Sequence, residues 1–217
     1  MNRINVSQTL LVLLLTLGCM RLQAQVEVGL KGGANYVNNV VVTDLFDNGS
    51  DYRLGYHAGV FASIPLSEKF SLSPELLFSD KGFKILEDVT DPDSDYSNLK
   101  LSYLNVPVLL GYNVFDKLTI QAGPEFGYLL SASTKFDGES IDVGNVWNNE
   151  FDFGLAFGLT YAITDKISLG GRYTHGLSSV ASDIEFTNTL GAPIEGEDFE
   201  FQNRTFQLSV AYSLVSL

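Results

Sequence analysis

Cysteine is almost absent: the single one, Cys19, lies close to the amino terminus. The rest of the chain offers neither a disulfide framework nor a thiolate metal site. Cations are scarce too. Thirteen Lys and Arg stand against 26 Asp and Glu, a net charge of −13, which excludes the basic surface that nucleic-acid phosphates require. Only two histidines, His57 and His175, are available for acid–base chemistry. After the amino-terminal segment no window of about 18 consecutive apolar residues occurs, so no transmembrane helix is expected.

The amino-terminal segment itself reads as an export signal. Arg3 gives a basic start, Leu10 to Leu17 form an apolar run too short to span a bilayer, and Ala24 is a small residue ahead of Gln25. Residues 1–24 are therefore assigned to a cleaved signal peptide and 25–217 to one exported domain. Gly18-Cys19 partly matches a lipoprotein signal, but Thr16 and Leu17 stand in the reverse of the usual order. Loss of Arg3 and Arg21 brings the mature charge to about −15.

The mature chain alternates with period two, the mark of β-strands. In the first run Val26, Val28, Leu30, Ala34 and Tyr36 share one face, and Glu27, Lys31 and Asn35 the other. The same pattern sets Leu54, Tyr56 and Val60 against Arg53 and His57, and Phe70, Leu72, Leu76 and Phe78 against Ser71, Ser73 and Glu75. Leu118, Ile120, Phe126 and Tyr128 oppose Thr119, Gln121 and Glu125; Phe151, Phe153, Leu155 and Phe157 oppose Asp152. Ile167, Leu169 and Tyr173 oppose Arg172, and Phe206, Leu208, Val210 and Tyr212 oppose Gln207 and Ser209. The fourth run, from Leu99 to Tyr112, is apolar on both faces near its middle, so its facing stays open and a bulge is expected near Tyr103. Eight runs of about 10–13 residues exceed soluble strands and suit tilted membrane crossings.

Connections alternate in length. Short turns lie near Pro65–Lys69, Asn113–Lys117 and Ala162–Lys166, and long loops near Val37–Asp51, Lys84–Asn98, Ala132–Glu150 and Ser178–Asn203. Short turns on one side and long loops on the other are expected of an outer-membrane barrel. Phe70, Tyr112, Tyr161 and Tyr212 fall at the turn ends of their strands. Tyr36, Tyr56, Phe78, Tyr128, Phe151, Tyr173 and Phe206 fall toward the loop ends, making two aromatic girdles. The expected fold is all-β: an eight-stranded, antiparallel, up-and-down transmembrane barrel with its apolar face toward lipid.

Charge on the second face must then lie inside. Lys31, Arg53, Lys81 and Arg172 share the lumen with Glu75, Glu125 and Asp152, and each needs a partner once it leaves bulk water. A structural salt-bridge network is preferred over an ion or proton path, because side chains nearly fill an eight-stranded lumen. His57 is expected to face inward near Ser63 and Glu75, and His175 to lie toward the outer end of the seventh run. Nothing in the sequence makes either converge with a nucleophile, so no enzyme and no catalytic residue are expected; an outer-membrane lipid hydrolase is the alternative. The loop segment Asp91-Pro92-Asp93-Ser94-Asp95 offers oxygen ligands, but Tyr96 stands where a Ca²⁺ loop wants glycine. No metal or cofactor is expected.

Several segments resemble the PorT-like outer-membrane β-barrel family of Bacteroidetes: Pro74-Glu75-Leu76-Leu77-Phe78 with Lys81-Gly82, Tyr103 through Leu110, Gly123 through Leu130, Asp152-Phe153-Gly154, and Arg172-Tyr173 with Gly176-Leu177. The resemblance covers most of the mature chain. It implies an eight-stranded barrel in the cell outer membrane, and its founding member is linked to protein secretion. The ending Leu214-Val215-Ser216-Leu217 departs from the aromatic close common in such barrels, with Tyr212 standing nearest to it. The long loops carry about 18 of the 26 acids. The expected role is structural or partner-binding: a barrel contacting outer-membrane lipid that displays acidic extracellular loops to a protein partner, and not a general porin. A secretion or transport accessory is the runner-up, and a soluble lipocalin-like barrel the third reading.

Overall fold

Alternation of this length, with turns that admit only antiparallel neighbours, closes on itself in the computed structural model. The structure describes residues 26–41, 50–86, 96–136, 139–144, 149–179 and 201–216. The proposed signal peptide, Cys19 and the Asp91–Asp95 segment lie outside the described residues. Eight long strands form the wall: β1 (Glu27–Val41), β3 (Arg53–Pro65), β4 (Phe70–Leu86), β5 (Tyr96–Phe115), β6 (Leu118–Phe136), β8 (Phe151–Ala162), β9 (Ile167–Gly176) and β10 (Phe201–Ser216). Each pairs antiparallel with its neighbours, and β1 pairs with both β3 and β10, which removes every edge.

Two short strands were not expected from the sequence. β2 (Ser50–Asp51) pairs with β4, and β7 (Glu139–Asp142) with β6. Both pair with the loop ends of wall strands. They are too short to leave a periodic signal. The strands also run further than the expected 10–13 residues, since β5 has 20 and β6 has 19. The loop ends of β4 and β5 carry a continuous ladder from Leu86↔Tyr96 down to Leu77↔Asn105.

The two faces have the inverted polarity of a membrane barrel. Leu54 and Leu208 are each 72 % exposed, whereas Lys81 is 1 % and Glu125 3 % exposed. Large apolar side chains on the outside of a closed barrel are favourable only against hydrocarbon. Aromatic girdles form as expected. Phe70 and Tyr112 meet at 5.2 Å near the turns, and Tyr128–Phe151 at 5.3 Å and Tyr56–Phe78 at 5.9 Å near the loops.

Tight curvature is made possible by small inward residues. At Gly59 an added Cβ would lie 2.0 Å from the Leu76 carbonyl oxygen, so β3 and β4 approach there only because the side chain is missing. Gly82 has φ +118°, a conformation that L side chains rarely adopt, near the loop end of β4. The β5–β6 register shifts at Tyr103, with Ser102 opposite Ser131 and Tyr103 opposite Leu129, so Leu130 is the extra residue of a bulge.

Two of the three short turns share a device. Ser67 Oγ accepts from the Lys69 and Phe70 amides, and Thr164 Oγ1 from the Lys166 and Ile167 amides. The carbonyls of Lys69, Lys117 and Lys166 then accept from the amides of Asn113, Ala162 and Ser213 on the adjoining strands. This laces the rim. Sequence pattern, turn chemistry and neighbouring strands are therefore joined at one end of the barrel.

Candidate functional site: a lumen plugged at one end

All seven charged residues singled out from the sequence point into the lumen, where they fall into separate groups. In the first, Glu75 receives Lys31 Nζ at 2.8 Å and both terminal Arg172 nitrogens, Nη2 at 2.6 Å and Nη1 at 2.9 Å. In the second, Lys81 Nζ lies 3.1 Å from Glu125 and 3.6 Å from Asp152. The second is saturated by neutral donors. Asn105 and Thr174 donate to Glu125, and Asn203 and Ser178 donate to Asp152. By formal charges the first group carries an excess cation and the second an excess anion, and together they balance. Desolvation makes such groups weak contributors to net stability, but removing one member leaves a buried charge unpaired.

Arg53 belongs to neither group. Its partner is Asp80, held by two hydrogen bonds of 3.0 Å each, with a third from Arg53 to the Lys81 carbonyl at 2.8 Å. Sequence reasoning missed Asp80, because period two assigns it to the outer face. It is nevertheless buried, filling the place where β3 and β4 stop pairing above His57–Ser79. Asn35 bridges the same break, donating to Ser79 Oγ and to the carbonyls of Tyr56 and Asp80. The inward amides Asn35, Asn105, Asn203 and Gln207 were the available signal, since each is a buried polar side chain at lumen parity.

His57 is buried in the lumen, and Asn35 Oδ1 lies 2.7 Å from its Nδ1. Its expected neighbour Ser63 is not a partner; the residue across the ladder is Ser79. His57 Nε2 makes no hydrogen bond. His175 faces outward on β9, with its Nδ1 3.2 Å from the Tyr173 hydroxyl. Neither histidine has a serine and a carboxylate arranged around it among the described hydrogen bonds. No cluster of three His, Cys, Asp or Glu side chains suited to a metal occurs among the described residues.

The two ends of the lumen differ. Toward the loops the interior is filled by Tyr103, Lys81, Phe83, Leu77 and Leu101, all 2 % exposed or less, and Lys81 Nζ sits 5.1 Å from the Tyr103 ring centre. Toward the turns lies a cavity of about 610 Å³, walled by Ser63, Ser71, Ser73, Thr119, Thr160, Ser168 and Ser213 and ending at Lys31 and Glu75. The expectation that side chains nearly fill the lumen holds only for the loop half.

A family model described as an outer membrane protein beta-barrel domain matches residues 22–182. The chain belongs to that family. Membership points to the cell outer membrane and makes the lipid the solvent for the apolar face; the match is to this broad barrel family rather than to the PorT-like group. Among solved structures the chain is similar to Neisserial surface protein A, with a TM-score of 0.51 at 11 % identity over 86 % of this chain and 97 % of that one. That likeness concerns the fold. The attachment invasion locus protein Ail of Yersinia pestis aligns with a TM-score of 0.46 at 11 % identity, over 88 % of this chain and 99 % of Ail. OprG from Pseudomonas aeruginosa aligns with a TM-score of 0.47 at 9 % identity, over 89 % and 97 % of the two chains. No curated protein matches the chain.

Proposed function

We propose that this small outer-membrane barrel serves as a closed anchor that presents its acidic extracellular loops to a protein partner, and that it neither conducts solutes nor catalyses a reaction. One observation carries the reading: the loop half of the lumen is blocked by fully buried side chains, Tyr103, Lys81, Phe83 and Leu101, above a cavity lined by the turn residues Lys117, Thr164 and Lys166. A porin of this width would need that cross-section free of side chains. Loops on a rigid scaffold are the usual carriers of recognition, and here they hold about 18 of the 26 acids. The partner chemistry implied is a basic protein surface.

Two measurements test this. In planar bilayers the purified chain is expected to give no stepwise conductance; steady channels would refute the closed anchor. In native membranes a pull-down is expected to recover a partner that is lost when the loop between Ser178 and Asn203 is shortened. The PorT-like segments, with Tyr103 through Leu110 and Gly123 through Leu130 the longest runs among them, favour a second reading as a secretion or transport accessory. A partner retained after loop shortening, and contacting the turn side, supports that second reading over the first.

A further inference from the structure

Above the loop-side girdle on the β9–β10–β1 wall lies a polar row outside the charge network. His175 stands opposite Arg204, and Arg204 opposite Asn38. Directly below are Tyr173, Phe206 and Tyr36, paired in the same order. The Tyr173 and Phe206 rings are 4.7 Å apart, and Tyr52 stacks on Tyr36 at 4.4 Å. Strand parity turns the whole patch outward, since Tyr36 and Phe206 are exposed while Val37, Thr174, Asn203 and Thr205 are buried in the lumen.

Height and chemistry both mark the row. From Ile167 to His175, at about 3.3 Å per residue and a tilt near 40°, is about 20 Å along the membrane normal. There the apolar band gives way to headgroups. Every lumen cation described above has a carboxylate within 4.0 Å, but Arg204 has no ion pair among the described residues. Its Nε, buried against the wall, has no hydrogen-bond partner, and neither has Asn38 Oδ1. An unpaired guanidinium beside an imidazole, over an aromatic shelf, matches a phosphoryl headgroup whose acyl chains lie along Phe206 and Tyr173. A chain with a net charge of −13 repels an anionic lipid, so its approach requires a local cation at this boundary.

We propose that Arg204 and His175, with the Tyr173 hydroxyl beside them, form a headgroup site for a phosphorylated lipid of the outer leaflet. The site rests on the membrane placement of the barrel and not on what the loops bind. The test uses the full chain in phosphatidylcholine vesicles carrying a small fraction of spin-labelled phosphatidic acid. Electron spin resonance is expected to show phosphatidic acid held against the barrel about fivefold over labelled phosphatidylcholine. Arg204→Gln should bring the ratio near parity, Lys100→Gln should leave it unchanged, and excess inorganic phosphate should not displace the lipid. No preference in the unaltered chain, equal loss in Lys100→Gln, or displacement by phosphate would each overturn the proposal. If Arg204→Gln does not insert, His175→Gln replaces it, with the preference expected to fall by at least half and an unchanged ratio counting against the site. Failure of the unaltered chain to float with vesicles would instead refute the membrane placement itself.

Discussion

The two halves of the lumen share one wall yet have opposite contents. Near the turns the inward positions are Ser63, Ser71, Ser73, Thr119 and Thr160, whose short side chains leave a cavity of about 610 Å³. Near the loops they are Lys81, Tyr103, Phe83 and Leu101, which leave almost nothing exposed. Strand number and tilt set the width of the barrel, but side-chain volume decides where it is shut. Closure is thus separable from the fold. A charge in the plug is also held differently from one at the cavity floor: Lys81 is sealed by its carboxylates, whereas the Lys31 side chain keeps 10 % of its surface accessible.

That contrast orders the effects of substitution. Lys81→Met strands Glu125 and Asp152 without their cation, and a loss of about 3–5 kcal/mol is expected in reversible urea unfolding from vesicles. Val210→Arg, on the lipid face between Phe206 and Tyr212, is expected to cost about 2–4 kcal/mol in the same assay. A negligible cost there would break the assignment of outside and inside. Glu75→Gln leaves Lys31 and Arg172 without their carboxylate, yet the cavity hydrates the site, so about 2–3 kcal/mol is expected from the shift in urea midpoint. Ser71→Ala, on the cavity wall, should change the midpoint by less than about 0.5 kcal/mol. Equal losses for Lys81→Met and Glu75→Gln would erase the distinction between plug and floor.

Much of this architecture is legible in the sequence because a barrel wall imposes period two on every strand. The outward set from Val28 to Leu214 emerges from alternation alone, and so does the inward charge set. β5 resists because its two faces are both apolar, for different reasons. Leu104, Val106 and Leu110 face lipid, while Leu99, Leu101, Tyr103 and Leu109 are buried as filler inside. Apolar residues on both faces then cancel the signal. Asp80 is hidden for another reason: its burial depends on the end of β3–β4 pairing and on Arg53, which lie far from it in sequence. The cavity is illegible because parity says which face a serine takes, not whether its cross-barrel neighbours are also small. The turn motif is readable in retrospect, since Leu66-Ser67-Glu68-Lys69 and Ile163-Thr164-Asp165-Lys166 repeat the same order of side-chain types.

Which face meets hydrocarbon is most directly read from single cysteines at neighbouring positions of β10. A chain beginning at Gln25 holds no cysteine of its own, so a nitroxide at residue 209, 210 or 211 reports one position at a time. In lipid nanodiscs the label at Val210 is expected to collide with oxygen and to escape water-soluble nickel chelate, and labels at Ser209 and Ala211 are expected to show lower oxygen collision. Nickel access at Val210 equal to that of a water-exposed turn such as Lys117, with the oxygen maximum moved to Ser209, would contradict the inside-out polarity on which the barrel depends.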